Sequence, residues 1–252
     1  MAIKVKIINQ LEDNYSYVIF CDEEKKAVIL DPAESKPILD FLLSNNLSLK
    51  GILITHHHSD HTQGIGSIIK NFNVNVYSPN KNIAFTTDLI NEKKNIDLGF
   101  LDFEIIHTPG HTLDHVIYYN KKEKLLFSGD TLFVYGCGRV FEGTYEEMFK
   151  SLNKLKNLPI DTKIYCGHEY TKKNLEFCLE YDSNNEFLKK KSDWINSKIE
   201  SKSPTIPTSI GEEKETNIFL RCNELSVKNA LHLNNASEQE IFSKLRDLKD
   251  SF

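Results

Sequence analysis

The sequence is poor in the features that mark disulfide-stapled, membrane-spanning or secreted proteins. Its five cysteines are odd in number and widely spaced, and no two form a CxxC pair, so neither a disulfide framework nor a thiolate zinc site is predicted. No apolar run approaches the roughly 20 residues that a membrane-spanning helix needs. The chain start lacks the continuous apolar stretch of a secretory signal. We therefore expect a cytoplasmic protein with reduced thiols and no membrane contact.

An excess of positive charge is also absent. The net charge is -5 at pH 7, which argues against a broad nucleic-acid-binding surface. No GxSxG sequence occurs, so a serine nucleophile of that type has no support. The chain does have 252 residues with 40% apolar side chains, which is enough for a large core. We expect a monomer that binds no nucleic acid.

Residues 1–168 consist of short β-type runs broken by turn residues, with helical patterns between some of them. The runs cover residues 4–8, 17–20, 27–30, 51–55, 74–77, 103–106, 116–119, 124–128 and 163–166. Helical patterns cover residues 36–45 and 145–156. This mixture predicts an α/β domain in which helices flank β-sheets.

Beyond this domain the pattern becomes helical, which predicts a smaller α-helical domain over residues 169–252. A Pro/Ser/Thr-rich loop is expected at residues 203–209. The last helix has a clear start, because Ser237 and Glu240 form a capping box. The apolar face of that helix is expected to carry Ile241, Leu245, Leu248 and Phe252.

The strongest chemical signal is the segment THHHSDH at residues 55–61, which directly follows an apolar run. It has the form HxHxDH, and its potential ligands are His56, His58, Asp60 and His61. Imidazole and carboxylate groups suit zinc, manganese or iron in open, water-accessible catalytic sites. The segment therefore predicts a metal site on a loop at the end of a strand.

Three more potential ligands follow apolar runs in the same way. His111, Asp130 and His168 each come directly after a glycine. Glycine permits the tight turn that presents a side chain at a strand end. With the HxHxDH loop, these segments make four loops that should converge on one edge of the sheets, and we expect a metal centre there.

The ordered set of HxHxDH, His, Asp and His is the signature of the metallo-β-lactamase fold, which the chain therefore resembles. Longer segments resemble glyoxalase II in particular: GDTLFVYGCGRVFEGT at residues 129–144, CGHEYT at residues 166–171 and LRDLKD at residues 245–250. The resemblance covers essentially the whole chain. It implies an α/β fold of the αββα metallo-β-lactamase type with a smaller C-terminal α-helical domain.

The resemblance also implies a ligand set and a reaction. One divalent ion would be bound by His56, His58 and His111, a second by Asp60, His61 and His168, and both by Asp130. Zinc is favoured, and iron and manganese fit the same donors. The implied reaction is hydrolysis of S-(2-hydroxyacyl)glutathione thioesters, chiefly S-lactoylglutathione, to glutathione and D-lactate in methylglyoxal detoxification. Asp60 and Asp130 are the expected catalytic carboxylates beside a metal-activated hydroxide.

Five positions match those at which the family binds glutathione. They are Arg139, Phe141, Tyr170, Arg246 and Lys249. Arg246 and Lys249 stand three apart on the predicted last helix and would bind the glycine carboxylate. Phe141 occupies a position at which many family members have tyrosine, so it can pack against the substrate but has no hydroxyl to donate.

Other reactions of the same fold stay open at this point. A lactonase, a β-lactamase, a persulfide dioxygenase or an RNA-processing nuclease would share the ligand signature. A diiron electron-transfer protein is a different class, and its members carry an acidic residue in place of His58. His57 is expected to face away from the metals, since alternate side chains of an extended segment point oppositely. The remaining histidines considered, His107, His115 and His232, are expected to be structural or exposed.

Overall fold

A computed structural model of the chain describes residues 2–90 and 95–252. The chain divides into two compact units. Unit 1 consists of the described residues of Met1–His107 together with Asp114–Gly129. Unit 2 consists of Thr108–Leu113 and Asp130–Phe252. Unit 2 thus contains one short segment, Thr108–Leu113, and the whole chain from Asp130 onward.

The first sheet of unit 1 contains the strands β1 to β6 in chain order. These are β1 (Ile3–Gln10), β2 (Asn14–Cys21), β3 (Lys26–Leu30), β4 (Ser48–Leu53), β5 (Val76–Ser78) and β6 (Asp88–Leu89). β1, β2 and β3 pair antiparallel, and β3 to β6 pair parallel. β2 is buried along its whole length, and its run of apolar and aromatic residues is typical of a strand covered on both faces.

A second group of strands in unit 1 forms an antiparallel series in the order β10-β9-β8-β7. These are β7 (Asn95–Asp97), β8 (Asp102–His107), β9 (Val116–Asn120) and β10 (Leu125–Gly129). Tyr118 of β9 donates its hydroxyl to the Ile54 carbonyl at 2.7 Å. Tyr17 meets Phe127 edge to face with ring centroids 5.3 Å apart. These contacts join the two sets of strands across a shared core.

Three helices of unit 1 lie on its first sheet or beside the loop after β4. They are α1 (Lys36–Ser44), α2 (Ser59–Thr62) and α3 (Ile65–Ile69). Ile38 and Leu42 of α1 and Ile65 and Ile68 of α3 are buried in one apolar cluster with residues of the first sheet. α2 carries the Asp60 and His61 side chains of the HxHxDH segment.

Unit 2 contains short strands and most of the helices. The strands are β11 (Leu132–Phe133) paired with β12 (Gly136–Cys137), and β13 (Lys163–Cys166) paired with β14 (Thr208–Ser209). The helices are α4 (Tyr145–Lys156), α5 (Thr171–Tyr181), α6 (Glu186–Glu200), α7 (Ile210–Thr216), α8 (Leu225–Ala230) and α9 (Glu238–Asp250). Phe242 of α9 packs against Tyr145 and Phe149 of α4. Within residues 2–90 and 95–252, no helix is long and apolar enough to cross a bilayer.

The structure differs from the sequence predictions at the ends of a loop and a helix and in several short strands. The predicted loop at residues 203–209 ends in β14, because Thr208 pairs with Ile164. Phe252 was expected on the apolar face of α9, but it lies beyond the helix end and is 54% exposed. β6, β7, β11, β12 and β14 are two or three residues long, too short to show the alternation on which strand prediction depends.

Candidate metal centre

The HxHxDH segment of unit 1 follows β4, where the carbonyl of Thr55 accepts a hydrogen bond from the Val116 amide of β9. His56 is fully buried, and its Nε2 atom lies 3.1 Å from Nδ1 of His58. Asp60 and His61 follow on α2, with Asp60 Oδ2 lying 3.5 Å from His61 Nε2. We call these four residues the unit 1 cluster. It consists of two close donor pairs.

Asp31 holds two of these imidazoles in one tautomer. Its Oδ2 accepts hydrogen bonds from His61 Nδ1 at 3.0 Å and from the Thr55 hydroxyl at 2.6 Å. Because the Thr55 proton is given to Asp31, the Thr55 oxygen accepts from His56 Nδ1 at 2.9 Å. Both rings therefore donate from Nδ1, which leaves the Nε2 atom of each ring as the one that can bind a metal. Asp31 itself is only 1% exposed.

Asn14 orients Asp60 by hydrogen bonding, as Asp31 orients the histidines. Its Nδ2 group donates to Asp60 Oδ2 at 2.9 Å and to the Asp60 carbonyl at 3.2 Å. Neither Asn14 nor Asp31 was singled out from the sequence. The signal for Asp31 was present, because it directly follows the apolar strand β3 just as the predicted ligands follow theirs.

The ligand candidates of unit 2 meet at one carboxylate oxygen. Asp130 Oδ2 lies 3.4 Å from His111 Nε2 and 3.2 Å from His168 Nε2. The three residues, which we call the unit 2 cluster, are all at most 5% exposed. His111 Nδ1 donates to the Arg139 carbonyl at 2.8 Å, so its Nε2 is the ring atom that can bind a metal. One carboxylate oxygen within 3.4 Å of two imidazole nitrogens can act with them as a metal ligand.

Glycine is needed before two of these ligands. Gly129 has a φ of +47°, and a Cβ atom there would lie 2.8 Å from Thr55 Oγ1. Gly110 has a φ of +149°, and a Cβ atom there would lie 2.7 Å from Met148 Cβ. A side chain at either position would be strained and would collide with its neighbours. The sequence prediction of a special backbone therefore applies to Asp130 and His111.

The donor sets of both clusters fit divalent transition metals. Two ligands about 2.1 Å from one tetrahedral ion lie about 3.4 Å apart. The donor pairs in the two clusters are separated by 3.1 to 3.5 Å. Imidazole with carboxylate suits zinc, iron or manganese, whereas calcium and magnesium prefer oxygen ligands. The His/Asp clusters thus indicate metal binding by both units.

The predicted substrate-binding residues all lie in unit 2. Tyr170 stacks on the His168 ring with centroids 4.8 Å apart, and Phe141 meets the His111 ring at 5.2 Å. Phe141 is 60% exposed. Arg246 is buried, whereas the Arg139 side chain is half exposed. Lys249 donates to the Lys173 carbonyl at 2.9 Å, and burial lowers its pKa to about 8.

The other histidines have different surroundings. His57 Nδ1 donates to the Asp114 carboxylate at 3.0 Å, and Asn80 donates to the same carboxylate. His115 is fully buried and stacks on the ring of His56 at 4.9 Å. His232 is exposed, and His107 ends β8. Their surroundings agree with the structural or exposed roles expected for His107, His115 and His232.

Comparison with known families agrees with this geometry. Residues 11–168 match the family model described as the metallo-beta-lactamase superfamily. A B3 metallo-beta-lactamase, BLEG-1, is 26% identical, with a TM-score of 0.67 over 86% of this chain and 99% of that structure. ETHE1 from Myxococcus xanthus is 22% identical, with a TM-score of 0.68 over 98% of this chain and 97% of that structure, a likeness of fold alone. Fold and site together define a member of the metallo-β-lactamase superfamily, as predicted.

Comparison with relatives identifies one family within this superfamily. Residues 169–252 match the family model described as "Hydroxyacylglutathione hydrolase C-terminus". Hydroxyacylglutathione hydrolase of Pelagibacter ubique is 44% identical over 99% of this chain and 100% of its own length. The enzyme of that name from Pseudoalteromonas translucida is 42% identical over 99% and 100% of the respective chains. The chain belongs to the hydroxyacylglutathione hydrolase family, glyoxalase II.

Proposed function

We propose that the chain hydrolyses S-(2-hydroxyacyl)glutathione thioesters, chiefly S-lactoylglutathione, to glutathione and D-lactate. The observation that carries the proposal is Asp130, whose Oδ2 atom lies between the imidazoles of His111 and His168. A carboxylate in that position suits a binuclear hydrolytic centre. The family membership supplies the thioester as the substrate class.

Two zinc ions are the proposed cofactors. His56, His58 and His111 would hold one ion, Asp60, His61 and His168 the other, and Asp130 both. The unit 1 cluster supports this assignment, because its donors fall into the pairs His56 with His58 and Asp60 with His61. When bound, such ions would supply hydroxide at neutral pH by lowering the pKa of water to about 7, and they would polarise the thioester carbonyl.

The carboxylates of the chain orient the nucleophile. Asp60 is fixed by the Asn14 amide and keeps a side chain that is 35% exposed, so it can accept a hydrogen bond from the attacking water. Asp130 is 4% exposed and would serve as a ligand shared by the two ions. The leaving group is a thiolate, and because the pKa of its thiol is only about 8.5 it can depart without a strong general acid.

Substrate binding falls to the five predicted residues of unit 2. The positive charges of Arg139, Arg246 and Lys249 would attract the glycine carboxylate of glutathione, and Arg139, whose side chain is half exposed, would bind it by charge-assisted hydrogen bonds. The rings of Phe141 and Tyr170 lie beside His111 and His168 and would contact the thioester end. We further propose a cytoplasmic monomer that acts on this small-molecule substrate and has neither nucleic-acid nor membrane partners.

The test is steady-state hydrolysis by metal-replete protein. S-lactoylglutathione should have the highest kcat/KM when it is compared with a thioester lacking glutathione, a β-lactam and a lactone. Oxygen uptake with glutathione persulfide serves as the control for a persulfide dioxygenase. Preference for the β-lactam, or oxygen uptake without thioester hydrolysis, would reject the proposed function.

A further inference from the structure

A carboxylate at the end of α9 lies between two guanidinium groups of unit 2. Asp250 Oδ1 accepts hydrogen bonds from Arg246 Nε at 3.2 Å, from Arg246 Nη2 at 2.5 Å and from Arg139 Nε at 3.2 Å. The Asp250 main-chain carbonyl accepts a further bond from Arg139 Nη2 at 2.8 Å. We call Arg139, Arg246 and Asp250 the arginine cluster. Asp250 holds Arg139 at two points.

The two arginines of this cluster differ in exposure. Arg246 is 4% exposed, and its Nη1 donates to the Cys137 carbonyl at 3.2 Å. The Arg139 side chain is 51% exposed, and its Nε and Nη2 atoms donate to Asp250. Arg139 is therefore the arginine whose donors can meet an anion from solvent. Arg246 lies below the surface and is held by fixed acceptors.

The surroundings of Asp250 carry an excess of positive charge. Lys249 is adjacent in sequence, and its pKa is lowered by burial and further by the nearby positive charge of Arg246. Three basic side chains thus accompany the single carboxylate of Asp250. Because the carboxylate does not neutralise all of them, the cluster can still attract a ligand carboxylate.

We propose that Asp250 is a positioning residue, which holds the Arg139 guanidinium in the orientation that binds the glycine carboxylate of the glutathione thioester. The inference rests on the proposed function and names how its carboxylate anchor is oriented. An exposed arginine loses side-chain freedom when it binds an anion, whereas one that is already fixed loses less. The position of the Asp250 oxygen therefore matters more than its charge.

Two substitutions separate position from charge. Asp250→Glu keeps a charge beside buried Arg246 but moves the acceptor oxygen by one methylene group. Asp250→Asn removes the charge but keeps an acceptor oxygen at the same place. Because each lost charge-assisted bond is worth about one factor of ten, we expect Asp250→Glu to raise KM for S-lactoylglutathione about tenfold at unchanged kcat. Asp250→Asn should keep KM within roughly threefold of the wild-type value, since its bonds persist.

A matched control lies on the same helix. Asp247 accepts a hydrogen bond from the Tyr145 hydroxyl at 2.8 Å and bonds neither arginine. Asp247→Asn should therefore leave KM unchanged. A second control uses S-lactoylglutathione whose glycine carboxylate is amidated. Its KM with wild-type protein should be raised, and Asp250→Glu should raise it no further, because the two changes remove the same interaction.

The outcomes are distinct. An unchanged KM in Asp250→Glu would overturn the inference, as would an equal rise in Asp250→Asn, which would assign the effect to charge. A lower KM in Asp250→Asn would mean that Asp250 competes with the substrate, and this too would overturn it. If wild-type protein does not hydrolyse S-lactoylglutathione at all, the proposed function fails and the inference falls with it. Thermal unfolding of each variant identifies any loss of folding.

Discussion

At the scale of single residues, Asp31 supports two of the candidate metal ligands at once. Its carboxylate receives the His61 ring directly and the His56 ring through Thr55. Acceptors of this kind fix the tautomer and orientation of metal-binding imidazoles. The buried Asp31 side chain therefore orients one histidine of each donor pair in the unit 1 cluster.

We predict that Asp31→Asn lowers metal affinity by roughly 10- to 100-fold. An amide group placed towards His61 Nδ1 would force the ring proton onto Nε2, the atom needed for the metal. Competition with a chromogenic chelator measures the affinity. Asp114→Asn is the matched control, since Asp114 also accepts from a histidine, His57, but that histidine is not a proposed ligand. Equal affinities for all three proteins would contradict the assignment.

A second residue-scale prediction compares Asp130→Ala with His57→Ala. Loss of Asp130 removes the oxygen shared by two imidazoles, so kcat should fall by more than about a hundredfold. His57 is held by Asp114 instead, and its removal should preserve most of kcat. Comparable losses in two folded variants would show that the ligand assignment is wrong.

The ligand candidates could be found in the sequence because they lie in short motifs after apolar strands. Their supporting residues could not be found in this way. Asn14 is 46 residues from Asp60, and Asp31 is 30 residues from His61. Only the pairing of β2, β3 and β4 brings these side chains together. The burial of Arg246 was likewise not visible, because helix spacing says nothing about what covers a helix face.

At the scale of elements, a buried acid holds the turn between β11 and β12. Tyr135 in that turn has a φ of +57°, and its amide donates to Glu213 Oε2 at 2.8 Å. Thr208 and Asn217 also donate to Glu213, which is fully buried on α7. Burial raises the pKa of Glu213 to about 8, although the three donors lower it. The hairpin ends at Cys137, two residues before Arg139, which is one of the proposed substrate-binding residues.

This pKa predicts a pH dependence of stability. Between about pH 4.5 and 8 the folded state keeps the Glu213 proton that the unfolded state has released, so stability falls as pH rises through this range. Glu213→Gln should remove that loss, which is roughly 3 to 4 kcal/mol between pH 5 and 8. Urea denaturation at several pH values measures it. Parallel stability curves for the two proteins would contradict the prediction.

The sequence predicted helices correctly where their residue pattern was long. The capping box of Ser237 and Glu240 is confirmed, and Ile241 and Leu245 lie on the buried face of α9 as expected. Phe252 lies outside the helix because α9 ends at Asp250. The shortest strands were missed because tertiary pairing alone makes a two-residue segment a strand.

At the scale of the whole molecule, the fold class and the family follow from the sequence and are confirmed by the comparisons. The predicted division into residues 1–168 and 169–252 stays a prediction. The compact units of the structure divide differently, since residues from Asp130 onward belong to unit 2. The change from β-type to helical patterns along the sequence reflects local composition. The compact units depend on contacts between distant residues, which such patterns do not encode.

The account as a whole requires two metal ions and a thioester substrate in one enzyme. Metal-free protein should therefore be titrated with zinc while hydrolysis of S-lactoylglutathione is followed at each step. We predict that the rate rises to a plateau at two equivalents of zinc per chain, because the proposed ligands form two sets that share Asp130. A plateau at one equivalent, or no turnover once two equivalents are bound, would contradict the account.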